Sequence, residues 1–393
     1  MQHKVVERKR LLSELATRVA ESPVTVLLGA RQVGKTTLAR LFTTGRADVS
    51  WFDLETNADR EALTALPEKT LGARQGLVVI DEAQRMPELF RVLRPLCDRA
   101  DARTKFLLLG SAAPELVRGV SESLAGRVQF LSVPGLGLDE VGAACQDRLW
   151  IRGGFPPAFL SENDASARRW QEGFIRTFLE RDIPQLGIRV PAESLRRFWT
   201  MAAHFHGQVL NLAELARSMD VSPGAARHYL DILCGAYVMR QLSPWFENVG
   251  KRQVKSPKLY VRDSGLLHAF LGPESVSKLL EHPRLGASWE GFAVEQVLAR
   301  VGERNGYFWA TQRGAELDLL VFHQGERYGF EFKCNESPKM TASMHIALAD
   351  LKLRHLWVLH PGHAEYALHD RVTACPLSAW DPKQIVQLES GGP

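Results

Sequence analysis

Cysteine is scarce in this sequence, and its five (Cys97, Cys145, Cys234, Cys334 and Cys375) are scattered with no Cys-x-x-Cys pair. That excludes a disulfide framework, offers no zinc-ligand spacing, and predicts reduced thiols in a cytoplasmic chain. Long apolar runs are missing too. Gly76–Ile80 and Phe106–Leu109 are only strand-sized, so no membrane partner is expected. Met1-Gln2-His3-Lys4 has no hydrophobic region behind its charges, which predicts a chain without a signal peptide. Charge of one sign is also lacking, since 49 Lys plus Arg face 45 Asp plus Glu for a formal net charge of +4. Any nucleic-acid surface must therefore be a local patch. What remains is a folded-protein balance of 45% hydrophobic and 24% charged residues. At 393 residues the chain is too long for one ordinary core, so two or three domains are expected.

The strongest local signal lies near the start. Val24–Leu28 is a β-branched, apolar run of strand length, and it leads into Gly29-Ala30-Arg31-Gln32-Val33-Gly34-Lys35-Thr36, followed by helix-forming Thr37-Leu38-Ala39-Arg40. Strand, glycine loop and helix in that order are the context of a phosphate-binding loop. Glycines let the backbone wrap phosphates, and successive N–H groups with the helix N-terminus bind their charge. Lys35 reaches the β- and γ-phosphates, and the Thr36 hydroxyl is placed for Mg²⁺; residues 29–37 are thus the candidate ATP site. A second buried-strand run, Leu77–Ile80, ends in Asp81-Glu82. Asp81 is assigned to the metal shell and Glu82 to the general base that polarises the attacking water. A third, Lys105–Gly110, ends in Ser111, either a γ-phosphate sensor or a helix cap. Strands near 24, 49–54, 77, 106 and 129 with helical stretches between them predict a doubly wound, parallel α/β sheet with its ligand at the strand carboxyl ends.

These residues resemble a known group. Gly29–Thr37, Asp81-Glu82-Ala83-Gln84, Leu109-Gly110-Ser111 and Ser123-Leu124-Ala125-Gly126-Arg127 are similar to the AAA-type ATPases of bacteria and archaea that carry a C-terminal domain of unknown function. The likeness continues through Gly153-Gly154-Phe155-Pro156, Glu180-Arg181-Asp182-Ile183 and Lys258-Leu259-Tyr260. It implies an AAA+ module working as a homo-oligomer, with a hexameric ring as one form. In such assemblies a neighbour's arginine completes the site, and Arg127 matches that motif position. Its alternative is a structural arginine ahead of the strand Val128–Leu131.

The middle of the chain reads as helices until about 200. Asn211–Arg217, a turn ending at Ser222, and Pro223–Leu230 make a helix-turn-helix with Pro at the start of its second helix. Strands expected at Ala236–Leu242 and Leu259–Arg262 complete a winged helix. Between them Lys251, Arg252, Lys255, Lys258 and Arg262 occur with no acid among them. A basic wing beside Arg227 and His228 on the second helix is a footprint of duplex binding, so Arg227, His228, Lys251, Arg252 and Lys255 are candidate DNA contacts. A protein-docking module is the competing reading.

Toward the C-terminus an amphipathic helix (Trp289–Leu298) precedes a strand at Tyr307–Ala310. Two more strands, Glu316–Val321 and Tyr328–Lys333, flank a Gln324-Gly325 turn. Asp318, then Glu331-x-Lys333, with Glu290 on the helix, resembles the PD-(D/E)xK nuclease core, although Leu317 stands where that core has Pro. The resemblance implies two carboxylates on Mg²⁺ and a lysine at the attacking water, without telling an active site from a retired one. The histidines His345, His355, His360, His363 and His369 lack a metal-ligand spacing, and most of them are expected at the surface.

The expected chain is therefore an α/β protein with an AAA+ ATPase domain at 1–145. A helical linker or lid region (146–200), a winged helix (201–270) and a restriction-endonuclease-like α/β domain (280–393) follow. ATP and Mg²⁺ are the expected cofactors. The expected activity is ATP-driven handling of duplex or branched DNA, with Mg²⁺-dependent cutting left open. The alternative is an ATP-switched regulatory or signalling ATPase whose nuclease-like domain only grips DNA or a protein.

Overall fold

The computed structural model describes residues 5–99, 104–111, 114–247, 250 and 252–389. The chain divides into two compact units. The first comprises Met1–Gly135 with two later returns of the chain, Asp182–Ile188 and Gly235–Val238. The second comprises Leu136–Arg181, Arg189–Cys234 and Met239–Pro393. The segments expected as a helical region, a winged helix and a third domain thus lie in the second unit, apart from those two returns.

The first unit is a five-stranded parallel sheet of β1 (Val24–Gly29), β2 (Val49–Asp53), β3 (Gly76–Asp81), β4 (Thr104–Ser111) and β5 (Val128–Ser132). Their order is β2-β3-β4-β1-β5. β1, β3 and β4 are apolar almost throughout because helices cover both faces, as a parallel sheet demands. The core joins Val24, Val26 and Leu28 of β1 to Val78, Ile80, Phe106 and Leu108, with Leu89, Phe90 and Leu93 from the helix Leu89–Cys97. Each such side chain contributes about 1.5–3 kcal/mol by leaving water. Leu186 and Tyr237, from the two returning segments, pack against this core. All five strands fall where the sequence places them, and β1 and β3 both deliver their carboxyl ends to one edge.

The second unit begins with helices around the aromatic stack Phe155, Trp170, Phe174 and Phe178. The helix Asp164–Thr177 runs into a π-helical turn at Phe178–Asp182. Helices Leu212–Ser218 and Pro223–Gly235 follow, separated by a turn in which Asp220 takes φ +56°. Asn211 caps the first by accepting from Glu214 N, and Ser222 caps the second by accepting from Ala225 N. Beside them lies a small antiparallel sheet of β6 (Gln208–Val209), β7 (Met239–Leu242) and β8 (Lys258–Val261), in the order β6-β8-β7.

The arm between β7 and β8 is not a free wing. It runs along β9 (Gly306–Ala310): Phe308 N donates to Ser243 O at 3.0 Å, Trp245 N to Phe308 O at 2.7 Å, and Val254 N to Ala310 O at 3.0 Å. β9 opens a six-stranded mixed sheet with β10 (Glu316–His323), β11 (Glu326–Phe332), β12 (His355–His360), β13 (Tyr366–His369) and β14 (Val372–Pro376), ordered β13-β14-β12-β11-β10-β9. The β10–β11 turn has Gln324 at φ +46° and Gly325 at φ +87°, the two left-handed residues of a tight hairpin. The three last strands extend the sheet well beyond the hairpin. His355 and His360 on β12 are buried, against the expected surface position, because β12 is a central strand with β11 and β14 on either side. Among the described residues no helix is long and apolar enough to cross a membrane.

Candidate functional site

At the carboxyl end of β1 the loop 30–34 turns into the helix Lys35–Thr43. Gly34 takes φ +98°, open to glycine at little cost, and Gln32 takes φ +61°. Gly29 is needed for a different reason. A Cβ there would lie 2.4 Å from the carbonyl oxygen of Val133, so the glycine lets the chain after β5 close over the loop. Lys35 is buried and donates to Gly29 O at 3.0 Å and Ala30 O at 2.9 Å. Burial pulls its ammonium down to about 8, against the nearby charges of Glu82 and Asp81. A buried cation whose hydrogen bonds among the described residues go to carbonyl oxygens gains from an anion, so this lysine suits a polyphosphate.

Thr36 Oγ1 donates to Asp81 Oδ2 at 2.8 Å, and Asp81 Oδ1 accepts from Glu82 N at 2.9 Å. Burial holds the Asp81 carboxyl above its ordinary value. A hydroxyl and a carboxylate converging beside the loop are hard oxygen donors of the kind Mg²⁺ takes, so Thr36 and Asp81 fit that ion. Glu82 sits at φ +53°, uncommon for a side-chain-bearing residue, and its carboxylate accepts from Gln84 Nε2. Ser111 registers opposite Gly29 on the adjacent β4, while its side chain lies outside the described residues.

Arg31 of the loop is tied sideways. Its Nη1 lies 2.8 Å from Asp182 Oδ1 and 3.3 Å from Gln185 Oε1, and its Nη2 lies 3.2 Å from Glu55 Oε1. Arg85 donates to the same Glu55 oxygen at 2.9 Å. These partners stand 24 to 154 residues away in sequence, and no local motif announces them.

In the second unit the candidate nuclease residues do come together. Lys333 Nζ lies 2.6 Å from Glu331 Oε2 and 3.9 Å from Asp318 Oδ2, and Asp318 Oδ2 accepts from Phe332 N at 3.0 Å. Glu290, on the helix Leu285–Val301, accepts from Tyr260 Oη at 2.6 Å. The residue that sequence reasoning misplaced is Lys258. It is not part of an exposed basic wing but is 3% exposed, 3.0 Å from Glu290 Oε1, 3.6 Å from Asp318 Oδ1 and in contact with Glu316. Arg262 is likewise withdrawn, paired with Glu295 at 3.2 Å and with Glu303. Arg227, His228, Arg252 and Lys255 are exposed, Arg227 donating to Gln241 Oε1 at 3.1 Å, and Lys251 lies outside the described residues.

Two uncharacterized proteins, Mb2031c of Mycobacterium bovis and Rv2008c of Mycobacterium tuberculosis, are each 49% identical over 372 residues, covering 95% of this chain and 84% of theirs. The chain belongs to their family. Residues 21–142 match the AAA domain, and two domains of unknown function match residues 145–277 and 285–380. The first unit is thus an AAA-type P-loop ATPase domain. Among solved structures, a Walker-type ATPase of Pyrococcus abyssi is similar at 14% identity and a TM-score of 0.46, over 68% of this chain and 97% of its own. RuvB of Thermotoga maritima is similar at 17% identity and a TM-score of 0.31, over 60% and 90%.

Within the AAA domain Arg127 is remote from its own phosphate-binding loop. Its carbonyl accepts from Val24 N, which puts it at the amino ends of β1 and β5. The loop follows the other end of β1, roughly 20 Å away for a strand of that length. Its guanidinium grips Asp98 in a fork, Nε to Oδ1 at 2.6 Å and Nη2 to Oδ2 at 2.9 Å. An action on nucleotide from this position requires another subunit.

Proposed function

We propose that this AAA-type ATPase hydrolyses ATP with Mg²⁺ and couples turnover to DNA held by its second unit. The observation that carries the ATP reading is the Thr36–Asp81 contact at 2.8 Å beside buried Lys35. Mg²⁺, when bound, neutralises charge on the phosphate oxygens. In this reading Lys35 and the N–H groups of residues 30–36 bind the phosphates. Thr36 and Asp81 hold the metal. Glu82 orients the attacking water and takes its proton, after release from Gln84. Arg127 serves a neighbouring copy in a homo-oligomer, trading Asp98 for phosphate charge.

The DNA reading rests on the two-helix segment 212–235, which presents Arg227 and His228, with Arg252 and Lys255 on the arm beside β9. This supports a winged helix whose wing is short of the expected charge. In the same reading the helix Leu285–Val301 and the β10–β11 hairpin belong to a nuclease-like core. Lys258 inside its carboxylates favours a core that grips without cutting.

ATP turnover measured alone and with duplex, single-stranded and four-way-junction DNA tests the coupling. At least one form should stimulate threefold or more, and Arg227→Ala with Lys255→Ala should remove the stimulation while leaving basal turnover in place. Added salt should diminish it steeply, because phosphate contacts release counterions. If no DNA form alters turnover or binds, the nucleic-acid reading falls and the signalling ATPase takes its place.

A further inference from the structure

Four acidic side chains meet in the second unit: Glu290 from the helix, Glu316 and Asp318 from β10, and Glu331 from β11. Glu331 and Asp318 are buried, at 3% and 7% exposure. So many carboxylates at one place repel one another and are relieved by protons or by a cation, and burial with Asp318 nearby does hold Glu290 and Glu331 above the ordinary carboxyl range. A divalent ion held by oxygens is the usual solution. Yet among the described residues no group of three or more His, Cys, Asp and Glu side chains is set to hold a metal. The residues therefore do not fit a divalent ion as they stand, and the charge is met otherwise.

We infer that the ammonium of Lys258 is the resident cation of this cluster, standing where a divalent metal would otherwise be held. Lys258 reaches it from β8, a strand of the small sheet, while its carboxylate partners come from the helix Leu285–Val301 and from β10. Glu290 receives both the ammonium, at 3.0 Å, and the Tyr260 hydroxyl, at 2.6 Å. The Phe308 ring lies 5.7 Å from the same ammonium and closes another side with its electron-rich face. Lys333 neutralises the far side through Glu331 at 2.6 Å. An ammonium is a tethered point charge with three donors and no open position for a water or a phosphate oxygen. The cluster consequently ties the small sheet to the large one and performs no metal-dependent phosphodiester cleavage. This inference stands whether or not the protein handles DNA.

The test counts Mn²⁺ bound to the nucleotide-free full chain by electron paramagnetic resonance. Wild type and Asp318→Asn should bind the same number of ions, and wild type should cut no DNA with Mn²⁺. Lys258→Met removes the ammonium while keeping the unbranched apolar stem. It should bind one more equivalent per chain than wild type, and the double variant with Asp318→Asn should lose that equivalent. An Asp318-dependent Mn²⁺ ion or Asp318-dependent cutting in the wild type would overturn the inference, and so would a soluble Lys258→Met that binds no additional ion. Should Lys258→Met fail to fold, the comparison of wild type with Asp318→Asn decides alone.

Discussion

His206 and His268 show how single buried side chains couple the stability of the second unit to pH. His206 Nδ1 accepts from Val261 N at 3.0 Å, so its proton resides on Nε2, which donates to Ala287 O at 3.1 Å. His268 Nε2 contacts Ser288 Oγ at 2.7 Å, Ser288 in turn accepts from Trp150 Nε1, and His268 Nδ1 donates to Ile151 O. Burial, with Arg284 nearby, pushes His206 down to about 3, and burial pushes His268 down to about 4. Both titrate near 6.5 when unfolded. Folded values below unfolded ones mean stability that is whole above pH 6.5 and drains as pH falls toward 4. At pH 5.5 each histidine should cost about 1 kcal/mol. Buried Asp263, Glu290 and Glu331 are pushed upward and act in the opposite sense, so the histidine contribution is read as a difference: His206→Gln, which can accept and donate in similar directions, should lose about 1 kcal/mol less stability than wild type between pH 7.5 and pH 5.5. Parallel stability profiles for wild type and His206→Gln over this range would contradict the buried neutral assignment.

Among the elements, the segment 182–188 has the most consequence for the ATPase. It leaves the second unit through a π-helical turn, lays Leu186 on the core of the first, and sets Asp182 against Arg31 of the phosphate-binding loop. Arg31 is 17% exposed and Asp182 6%, so their attraction is less screened than at a surface, while Glu55 and Gln185 provide second partners. A double-mutant cycle between Arg31→Ala and Asp182→Ala should give a coupling of about 1–2 kcal/mol in thermal unfolding, and a coupling near zero would show the contact to be incidental. Local pattern made the five parallel strands, the loop 29–36, the Asp81-Glu82 pair and the β10–β11 hairpin legible, since each is a short stretch whose apolar period or glycine position speaks for itself. The destination of Lys258 was not legible. A run of basic residues reads as a solvated wing, whereas the acids that bury Lys258 lie 32 to 60 residues further along. Arg262 deceives in the same way through Glu295 and Glu303. The returns at 182–188 and 235–238 are equally silent, because a few residues contributed to another unit's core carry no period of their own.

For the whole molecule, the division of labour follows from what each unit can hold. The AAA domain gathers a buried lysine, a metal-ready hydroxyl and carboxylate, and a strained glutamate at one edge of its sheet. The second unit sets Lys258 and Lys333 among its four clustered acids and leaves Arg227, His228, Arg252 and Lys255 facing outward. Under the proposed function, chemistry belongs to the first unit and grip to the second. The most direct test of that account is steady-state ATP turnover by Glu82→Gln under saturating Mg²⁺ and ATP, with nucleotide affinity measured alongside. Glu82 activates water without touching phosphate in this account, so turnover should fall at least tenfold, the low side of a general base's usual effect, while ATP affinity stays within about twofold. Turnover at the wild-type rate would contradict the assignment of Glu82 and with it the proposed hydrolytic site.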